Sequence, residues 1–166
     1  MTFLDVQNMR QVAAPDLSPD GRWLLYTLSV PDWKDARRQS DIYLVSTERG
    51  VASARQLTFT KDKSEARPLW SRDGSFFVFA SDRDASPRDN AAGGGVAPRA
   101  VAAPNLPAGG AFAAQAGGGP GNQLYLMHPD GGEARKITDA RDGVAGYEFS
   151  KDGKWLVYRS GRALMR

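Results

Sequence analysis

The amino-acid sequence predicts an all-β protein built from repeated antiparallel hairpins, and three observations lead to that prediction. The motif Ser-x-Asp-Gly occurs three times, beginning at Ser18, Ser71 and Ser150. Every copy follows a large apolar residue and precedes an aromatic residue that opens an apolar run. The first two copies are followed by further short apolar segments at matching positions. Repetition of one short unit is typical of folds in which each unit packs against the next.

Each Ser-x-Asp-Gly copy has the chemistry of a tight turn. The serine hydroxyl and the aspartate carboxylate can accept hydrogen bonds from the backbone N–H groups of the turn. Glycine adopts the positive φ that such a turn needs without steric cost. Asp20, Asp73 and Asp152 are therefore assigned to turn formation rather than to a catalytic carboxylate pair. Because each belongs to a different repeat, we expect these carboxylates to lie well apart.

The strands that follow the turns are predicted to be covered on both faces. The segments Leu24–Tyr26, Phe77–Phe79 and Leu156–Tyr158 are apolar without strict alternation. Strands with one face in water alternate apolar with polar residues, whereas strands covered on both faces do not.

The remainder of each unit supplies two more strands. Asp41–Val45 and Arg55–Thr58 follow the first hairpin, and Gln123–Met127 and Arg135–Thr138 follow the second. Four consecutive antiparallel strands form one blade of a β-propeller. The sequence thus predicts a partial β-propeller with two four-stranded antiparallel blades and the first hairpin of a third.

The segment boundaries follow from this repeat. A short N-terminal helix is expected because Thr2 can cap it, Asp5 can complete a capping box, and Pro15 marks a stop before the first strand. The second repeat is longer than the first, 79 residues against 53, so it carries an insertion. The predicted segments are a helical lead-in (1–14), blade 1 (15–58), blade 2 with its insertion 84–121 (59–138), and the first hairpin of blade 3 (139–166).

The insertion differs in composition from the blades. It consists mainly of alanine, glycine and proline, which bury too little apolar surface to offset the entropy of ordering, so we expect a mobile loop. In a meander, the loop between the second and third strands shares one rim with the inter-blade connection. The insertion should therefore emerge beside 31–40 and 59–67. Its sizeable apolar residues, available to fold over a partner surface such as a catalytic domain, are Val96, Val101, Leu106 and Phe112.

These repeats resemble two known groups of propellers over nearly the whole chain. One is the N-terminal propeller of the prolyl oligopeptidase family of serine peptidases, and the other is the group of TolB-like periplasmic propellers. The opening segment Met1–Val30 is similar to that of bacterial acylaminoacyl- or dipeptidyl-peptidase-like members. The peptidase resemblance implies a C-terminal α/β-hydrolase domain with a Ser-Asp-His triad. It also implies short peptides as substrates and a propeller that restricts their access to the catalytic site.

The chain is short for a closed propeller, which usually has 4–8 blades. We therefore expect its 166 residues to be the front part of a larger protein. An open propeller edge with unpaired backbone groups beside an apolar surface templates pairing with other chains, so self-association is also predicted.

A search for catalytic, cofactor-binding or metal-binding residues assigns none, and no cofactor is predicted. The chain has no Gly-x-Ser-x-Gly nucleophile elbow, and its single histidine, His128, is interpreted as a solvated turn residue. No glycine run matches a phosphate-binding loop. The segment Asp139–Gly143 lacks the spacing of a calcium loop and is interpreted as an inter-blade turn. Some exopeptidases of the prolyl oligopeptidase family bind the amino terminus of the substrate with paired glutamates. This chain has no Glu-Glu pair, so no such binding residue is assigned.

Composition narrows the classes of partner. The net charge is +3 and the basic residues are dispersed, which argues against nucleic-acid binding. The chain has no cysteine and hence no disulfide framework or thiolate metal site. It lacks an apolar run of about 18 residues and a signal pattern, so no membrane span is expected. The chain as written would be cytoplasmic, and a removed signal peptide would place it in the periplasm.

Two hypotheses for function remain. In the first, the chain is the propeller part of a serine peptidase, a hydrolase whose catalytic residues lie elsewhere. In the alternative, it is part of a TolB-like propeller, a non-enzymatic module that binds protein partners. The coding sequence beyond Arg166 discriminates between them, because only a peptidase gene continues into a region with Gly-x-Ser-x-Gly.

Overall fold

The structure is a computed structural model that describes residues 8–33, 36–83 and 121–160, together with Thr2 and Asp5. This part of the chain forms ten β-strands. They are β1 (Gln11–Leu17), β2 (Trp23–Asp32), β3 (Arg37–Ser46), β4 (Gly50–Gln56), β5 (Glu65–Trp70), β6 (Phe77–Ser81), β7 (Gln123–His128), β8 (Gly131–Lys136), β9 (Val144–Phe149) and β10 (Leu156–Ser160).

The ten strands form three antiparallel sheets. Strands β1 to β4 make one four-stranded sheet in sequential order, and β5 to β8 make a second. Strand β9 pairs with β10 in a two-stranded sheet. These sheets are named blade 1, blade 2 and blade 3. The predicted all-β fold, a partial propeller with two four-stranded blades and the first hairpin of a third, is confirmed.

The three Ser-x-Asp-Gly turns are built in the same way. In the first, the Ser18 hydroxyl donates to Asp20 Oδ1 at 2.5 Å, and that oxygen also accepts the N–H of Arg22 at 3.1 Å. The N–H of Trp23 donates to Ser18 Oγ at 2.9 Å, and Gly21 has a φ of +72°. The other two turns repeat these bonds. The assignment of the repeated aspartates to turn formation is confirmed.

The same bonds favour the charged form of the turn aspartates. The pKa of Asp73 is lowered to about 2, first by the hydroxyl of Ser71 and then by the hydroxyl and N–H of Ser75. The corresponding serine hydroxyls are also the main reason that the pKa values of Asp20 and Asp152 are lowered.

The first strands of blades 1 and 2 contain the same β-bulge. In β5, Arg67 and Pro68 lie opposite a single residue of β6, and Arg67 has a φ of +53°. In β1, Ala14 and Pro15 occupy the equivalent positions, and Ala14 has a φ of +48°. The prediction that Pro15 marks the end of the N-terminal lead-in, before the first strand, is wrong. Strand β1 begins at Gln11, and the bulge accommodates the proline within it.

Two apolar clusters join the blades. The larger lies between Leu25, Ile42, Leu44 and Leu57 of blade 1 and Trp70, Phe77, Phe79, Tyr125 and Met127 of blade 2. The smaller joins Val78, Ala80 and Leu124 of blade 2 to Val144 and Tyr147 of blade 3.

Cover on both faces is found in only one of the three strands for which it was predicted. Every residue of β6 is buried, so the prediction is confirmed for Phe77–Phe79. It is wrong for Leu24–Tyr26 and Leu156–Tyr158, because β2 is fully buried on one face only and β10 is mostly exposed.

The connections between strands lie on two rims, as the meander requires. The turn rim contains the first and third connections of each blade, and the loop rim contains the second connection and the connection between blades. On the turn rim, the N–H of Thr47 donates to the Arg22 carbonyl at 2.9 Å, which joins the first and third connections of blade 1. On the loop rim, Gln39 Nε2 donates to the Thr60 carbonyl at 2.6 Å. The predicted proximity of 31–40 and 59–67 is therefore confirmed.

Two predicted features fall largely outside the described residues. They are the insertion, of which 84–120 is not described, and the short N-terminal helix. The elements formed by residues 8–33, 36–83 and 121–160 are all strands, and of the expected helix the structure describes only Thr2 and Asp5, with Asp5 in a helical conformation. Thr2 and Asp5 exchange the bonds of a capping box, from Thr2 N–H to Asp5 Oδ2 at 2.6 Å and from Asp5 N–H to Thr2 Oγ1 at 3.3 Å. The described residues also include no helix long and apolar enough to cross a membrane.

Candidate functional site

The first candidate site is a cleft where the first strands of the three blades meet, here named the axial cleft. Its volume is about 480 Å³. It is lined by Asp16, Leu17 and Pro19 from blade 1, by Leu69, Trp70, Ser71 and Arg72 from blade 2, and by Glu148 and Phe149 from blade 3. Charged side chains of both signs thus lie beside aromatic ones, a mixture that suits a polar ligand with apolar groups.

Hydrogen bonds between blades tie the walls of the axial cleft together. Asp16 Oδ2 of β1 accepts the N–H of Trp70 in β5 at 2.7 Å. The Tyr147 hydroxyl of β9 donates to the carbonyl oxygens of Ala66, at 3.3 Å, and of Arg67. All three partner groups on β5 are backbone atoms. Ala66 and Arg67 lie at its bulge, whereas Trp70 lies in regular pairing with Phe77. Strand β5 is an edge strand of its sheet, so its outer backbone groups can bond to both neighbouring blades.

Burial governs the charge state of the two side chains that make these bonds. It raises the pKa of Asp16, and the bond from the Trp70 N–H opposes that rise. It also raises the pKa of the Tyr147 hydroxyl, against the effect of the Arg67 guanidinium, which lies 5.4 Å from the tyrosine ring. Tyr147 is consequently a neutral donor at neutral pH.

A second cleft, named the rim cleft, lies on the loop rim of blade 1. Its volume is about 530 Å³. It is lined by Val30, Pro31, Asp32, Trp33, Gln39 and Asp41. The exposed indole of Trp33 donates through Nε1 to Asn8 Oδ1 at 2.9 Å, and burial raises the pKa of Asp41. An exposed tryptophan held beside a cleft is typical of a contact surface.

A fully buried carboxylate, Glu65, lies at the start of β5. Its Oε1 accepts the Thr60 hydroxyl at 2.5 Å and Arg83 Nε at 3.1 Å. Burial raises the pKa of Glu65, and these two partners oppose the rise. The Arg83 guanidinium lies 5.3 Å from the rings of Phe79 and Tyr125. Through Thr60 and Arg83, Glu65 connects the loop rim to the aromatic side chains in the core of blade 2. It lines neither the axial cleft nor the rim cleft.

The residues considered for chemistry lie in separate parts of the structure, with His128 as the last residue of β7 and Asp139–Gly143 between β8 and β9. His128 is exposed, with Nδ1 2.9 Å from the Ser75 carbonyl oxygen, which is not a nucleophile. The segment Asp139–Gly143 contains the turn between β8 and β9, in which the Gly143 N–H donates to the Ala140 carbonyl at 3.0 Å. Within 8–33, 36–83 and 121–160, no group of three or more histidine, aspartate or glutamate side chains is placed to hold a metal.

Sequence reasoning did not single out the residues that join the blades. Part of the signal was present, because Ala-x-Pro stands at the same distance before the serine in Ala13–Pro15 and Ala66–Pro68. That repeat marks the two bulges. No comparable signal marks Tyr147, which replaces the proline in blade 3, or the buried position of Glu65.

Comparison with known proteins identifies similar sequences among bacterial peptidases. No protein-family model matches the chain. It is 22% identical over 150 residues to dipeptidyl-peptidase 5 of Porphyromonas endodontalis, covering 90% of this chain and 16% of that protein. It is 27% identical over 158 residues to the uncharacterized peptidase YuxL of Bacillus subtilis, covering 95% of this chain and 18% of that protein. The resemblance to a peptidase propeller is confirmed.

The chain spans less than one fifth of the length of these two curated relatives. Among solved structures, it is similar to TolB from Acinetobacter baumannii, with 15% identity, a TM-score of 0.42, and coverage of 89% of this chain and 37% of that one. A TolB candidate from Agrobacterium tumefaciens gives 18% identity, a TM-score of 0.46, and coverage of 91% and 54%.

Proposed function

We propose that this chain is the N-terminal propeller part of a serine peptidase of the prolyl oligopeptidase family. In this proposal it restricts the access of peptides to a C-terminal α/β-hydrolase domain. The observation that carries the proposal is the pair of matches to bacterial peptidases, each over at least 90% of this chain. Most of each relative's length lies outside the match, which leaves ample room for a domain that holds the triad and oxyanion hole.

The axial cleft is the part of this chain best suited to restrict access. A volume of about 480 Å³ falls within the range of pockets that take small ligands, so a few residues of peptide fit and a folded domain does not. The restriction depends on the blades staying together. In the described part of the propeller that task falls to the apolar clusters and to the bonds made by Asp16 and Tyr147.

The activity is tested with the full-length gene product that contains this chain. We expect it to hydrolyse aminoacyl or dipeptidyl chromogenic substrates and to react with a fluorophosphonate probe. Residues 1–166 alone should do neither, because the chain lacks a nucleophile elbow. A full-length product that is inert in both assays would overturn the peptidase assignment and favour the TolB-like binding module.

Restricted access is tested separately, by size selection in the full-length enzyme. Tyr147→Phe removes the hydroxyl that joins blade 3 to β5, so kcat/KM for a long peptide should rise relative to kcat/KM for a dipeptide substrate. Tyr158→Phe is the matched control, since Tyr158 is a partly exposed tyrosine in the same blade. An unchanged ratio in Tyr147→Phe would contradict the restricting role and leave the peptidase assignment intact.

A further inference from the structure

A pair of carboxyl groups joins blade 1 to blade 2 on the loop rim. Glu65 belongs to β5 and is fully buried, and Asp41 belongs to β3, where it lines the rim cleft. The two side chains lie within hydrogen-bonding distance of each other. When two carboxyl groups are in contact and one of them is shielded from water, both cannot be ionised without a large electrostatic cost.

The hydrogen-bond donors around Glu65 leave one of its oxygens without a partner. Oε1 accepts the Thr60 hydroxyl at 2.5 Å, Arg83 Nε at 3.1 Å and the Ser81 hydroxyl at 3.5 Å. Oε2 is buried and receives no hydrogen bond from the described residues. A buried carboxylate oxygen without a donor is costly, whereas a protonated carboxyl group is itself a donor. Asp41 is the acceptor within its reach.

The charges around the pair balance only when it holds one proton. Among the described residues, the charged groups that act on Glu65 are the guanidinium of Arg83 and the carboxyl group of Asp41. The groups that act on Asp41, apart from Glu65, are uncharged, namely the Thr58 hydroxyl and two glutamine amides. Two ionised carboxylates beside one guanidinium would leave a net negative charge at a buried joint, and a single proton removes that charge.

The pKa shifts agree with this count of charges. Burial raises the pKa of Glu65, and Asp41 adds to the rise, against the effects of Thr60 and Arg83. Burial also raises the pKa of Asp41, whereas Glu65 lowers it through a hydrogen bond. The two carboxyl groups therefore act on each other in opposite directions, which places the proton on Glu65 and makes Asp41 the acceptor.

The joint between blades 2 and 3 has neutral side chains at the same two positions. Val144 corresponds to Glu65, because both lie six residues before the serine of their Ser-x-Asp-Gly turn and both are buried. Gln123 corresponds to Asp41, because each precedes a residue whose N–H bonds to a threonine hydroxyl, at 2.8 and 2.9 Å respectively. The repeat can therefore close this joint with residues that do not titrate.

The bonds of Gln123 show what the joint requires. Its Oε1 accepts the Thr138 hydroxyl and the Ala140 N–H, both at 2.9 Å, and its Nε2 donates to the Ala140 carbonyl at 2.8 Å. An amide both donates and accepts, whereas an ionised carboxylate only accepts. At the joint between blades 1 and 2, the missing donor is supplied by a proton on one of the two carboxyl groups.

We infer that Glu65 and Asp41 share one proton and that this proton locks the loop rim of blade 1 to blade 2. When the proton passes to solvent, two negative charges face each other across the joint, and the connection 57–64 opens more often. The joint between blades 2 and 3 has no such dependence on pH. This inference goes beyond the proposed function and does not depend on peptidase activity.

Hydrogen exchange, measured by mass spectrometry on the full-length protein that contains this chain, tests the lock. Peptides that contain 57–64 report on this joint, and peptides that contain 137–143 report on the joint between blades 2 and 3. The closed joint holds a proton that the open joint releases, so opening should become up to about tenfold more frequent per pH unit above the ordinary pKa of 4.5. After correction for intrinsic exchange rates, protection of 57–64 should fall relative to 137–143 as the pH rises from about 5 to about 9.

Two variants replace the shared proton with an amide N–H. Glu65→Gln and Asp41→Asn should each keep 57–64 protected and remove the dependence of that protection on pH. Asp82→Asn is the matched control. Asp82 Oδ1 accepts the Ser64 N–H at 2.8 Å on the same rim but does not act on either member of the pair. Its replacement should leave the pH dependence as it is in the wild type.

Three results would overturn the inference. The first is protection of 57–64 that follows 137–143 at every pH in the wild type. The second is a loss of protection at every pH in Glu65→Gln, because an ionised Glu65 paired with Arg83 would then close the joint. The third is protection that rises with added sodium or calcium chloride at constant pH and ionic strength, since a bound cation would then hold the two carboxylates together. Asp41→Asn provides an independent test if Glu65→Gln does not fold.

Discussion

Strands β6 and β10 occupy the same place in their repeats and have opposite surroundings. Phe77–Phe79 corresponds to Leu156–Tyr158, and both strands pair with the first strand of their blade in the same register. Val78 is nevertheless 1% exposed, and its equivalent Val157 is 59% exposed. Strand β6 has β7 along its other edge and a blade on each face, whereas among the described residues β10 pairs with β9 alone.

This difference separates two properties that the repeat encodes together. An apolar run specifies that a segment forms a strand and that both of its faces tolerate packing. Whether those faces are buried depends on which neighbours are present. The same sequence signal therefore gives a core strand in blade 2 and an exposed strand in blade 3, and substitutions at equivalent positions should have unequal effects.

The largest difference is expected between Phe79→Ala and Tyr158→Ala. Phe79 is fully buried in the contact between blades 1 and 2, so its truncation should lower the free energy of unfolding by about 3–5 kcal/mol. Tyr158, at the equivalent position, is partly exposed, and its truncation should cost less than about 1 kcal/mol. Urea unfolding at concentrations where the chain is monomeric measures both. Equal losses would show that blade 3 is packed as tightly as blade 2.

On the turn rim the comparison runs the other way, because the turn glycine of blade 3 lies against the neighbouring blade and the turn glycine of blade 1 does not. Gly153 and Gly21 have nearly equal φ, +71° and +72°. A β-carbon at Gly153 would lie 2.8 Å from Cβ of Arg72, whereas one at Gly21 meets nothing within 4 Å. Gly21→Ala should cost about 1 kcal/mol of backbone strain and Gly153→Ala about 2–3 kcal/mol.

Thermal melts of the two glycine variants against the wild type measure this difference. A larger loss of stability in Gly21→Ala than in Gly153→Ala would mean that the turn of blade 3 does not rest on Arg72.

The smallest expected effect is a pH dependence within one turn. The pKa of Asp73 is about 2 in the folded chain and 3.8 at its ordinary value, so the folded state binds this proton less tightly. The stability it contributes is complete above about pH 4 and is lost as the pH falls towards 2. Asp73→Asn lacks that contribution, so the difference in Tm between wild type and variant should shrink over this range. A difference that stays constant from pH 5 to about pH 2 would exclude the carboxylate as its source.

Local chemistry made most of the fold predictable from sequence. The Ser-x-Asp-Gly turns depend on hydrogen bonds within five residues, so their motif alone specifies them. The order of strands follows because short turns force neighbours to pair. Proline usually ends regular structure, so Pro15 alone predicts a boundary. Only the presence of Pro68 at the same position of the second repeat indicates that both prolines lie in a bulge within a strand.

The candidate clefts were not predictable in the same way. Glu65 acquires its partners from two loops, and Tyr147 bonds to residues 80 and 81 positions away in the chain. Such contacts are determined by how blades pack, which a single sequence does not display. The exposed apolar residues of β10 are an intermediate case, since the repeat reveals that they are apolar but not that they are exposed.

The joints on either side of β5 have an evolutionary consequence. Asp16 and Tyr147 contribute side chains, whereas β5 contributes only an N–H and two carbonyl oxygens. Backbone groups survive almost any substitution, so the side chains of β5 can diverge without loss of either joint. The two joints are thus maintained by one side chain each, Asp16 towards blade 1 and Tyr147 towards blade 3.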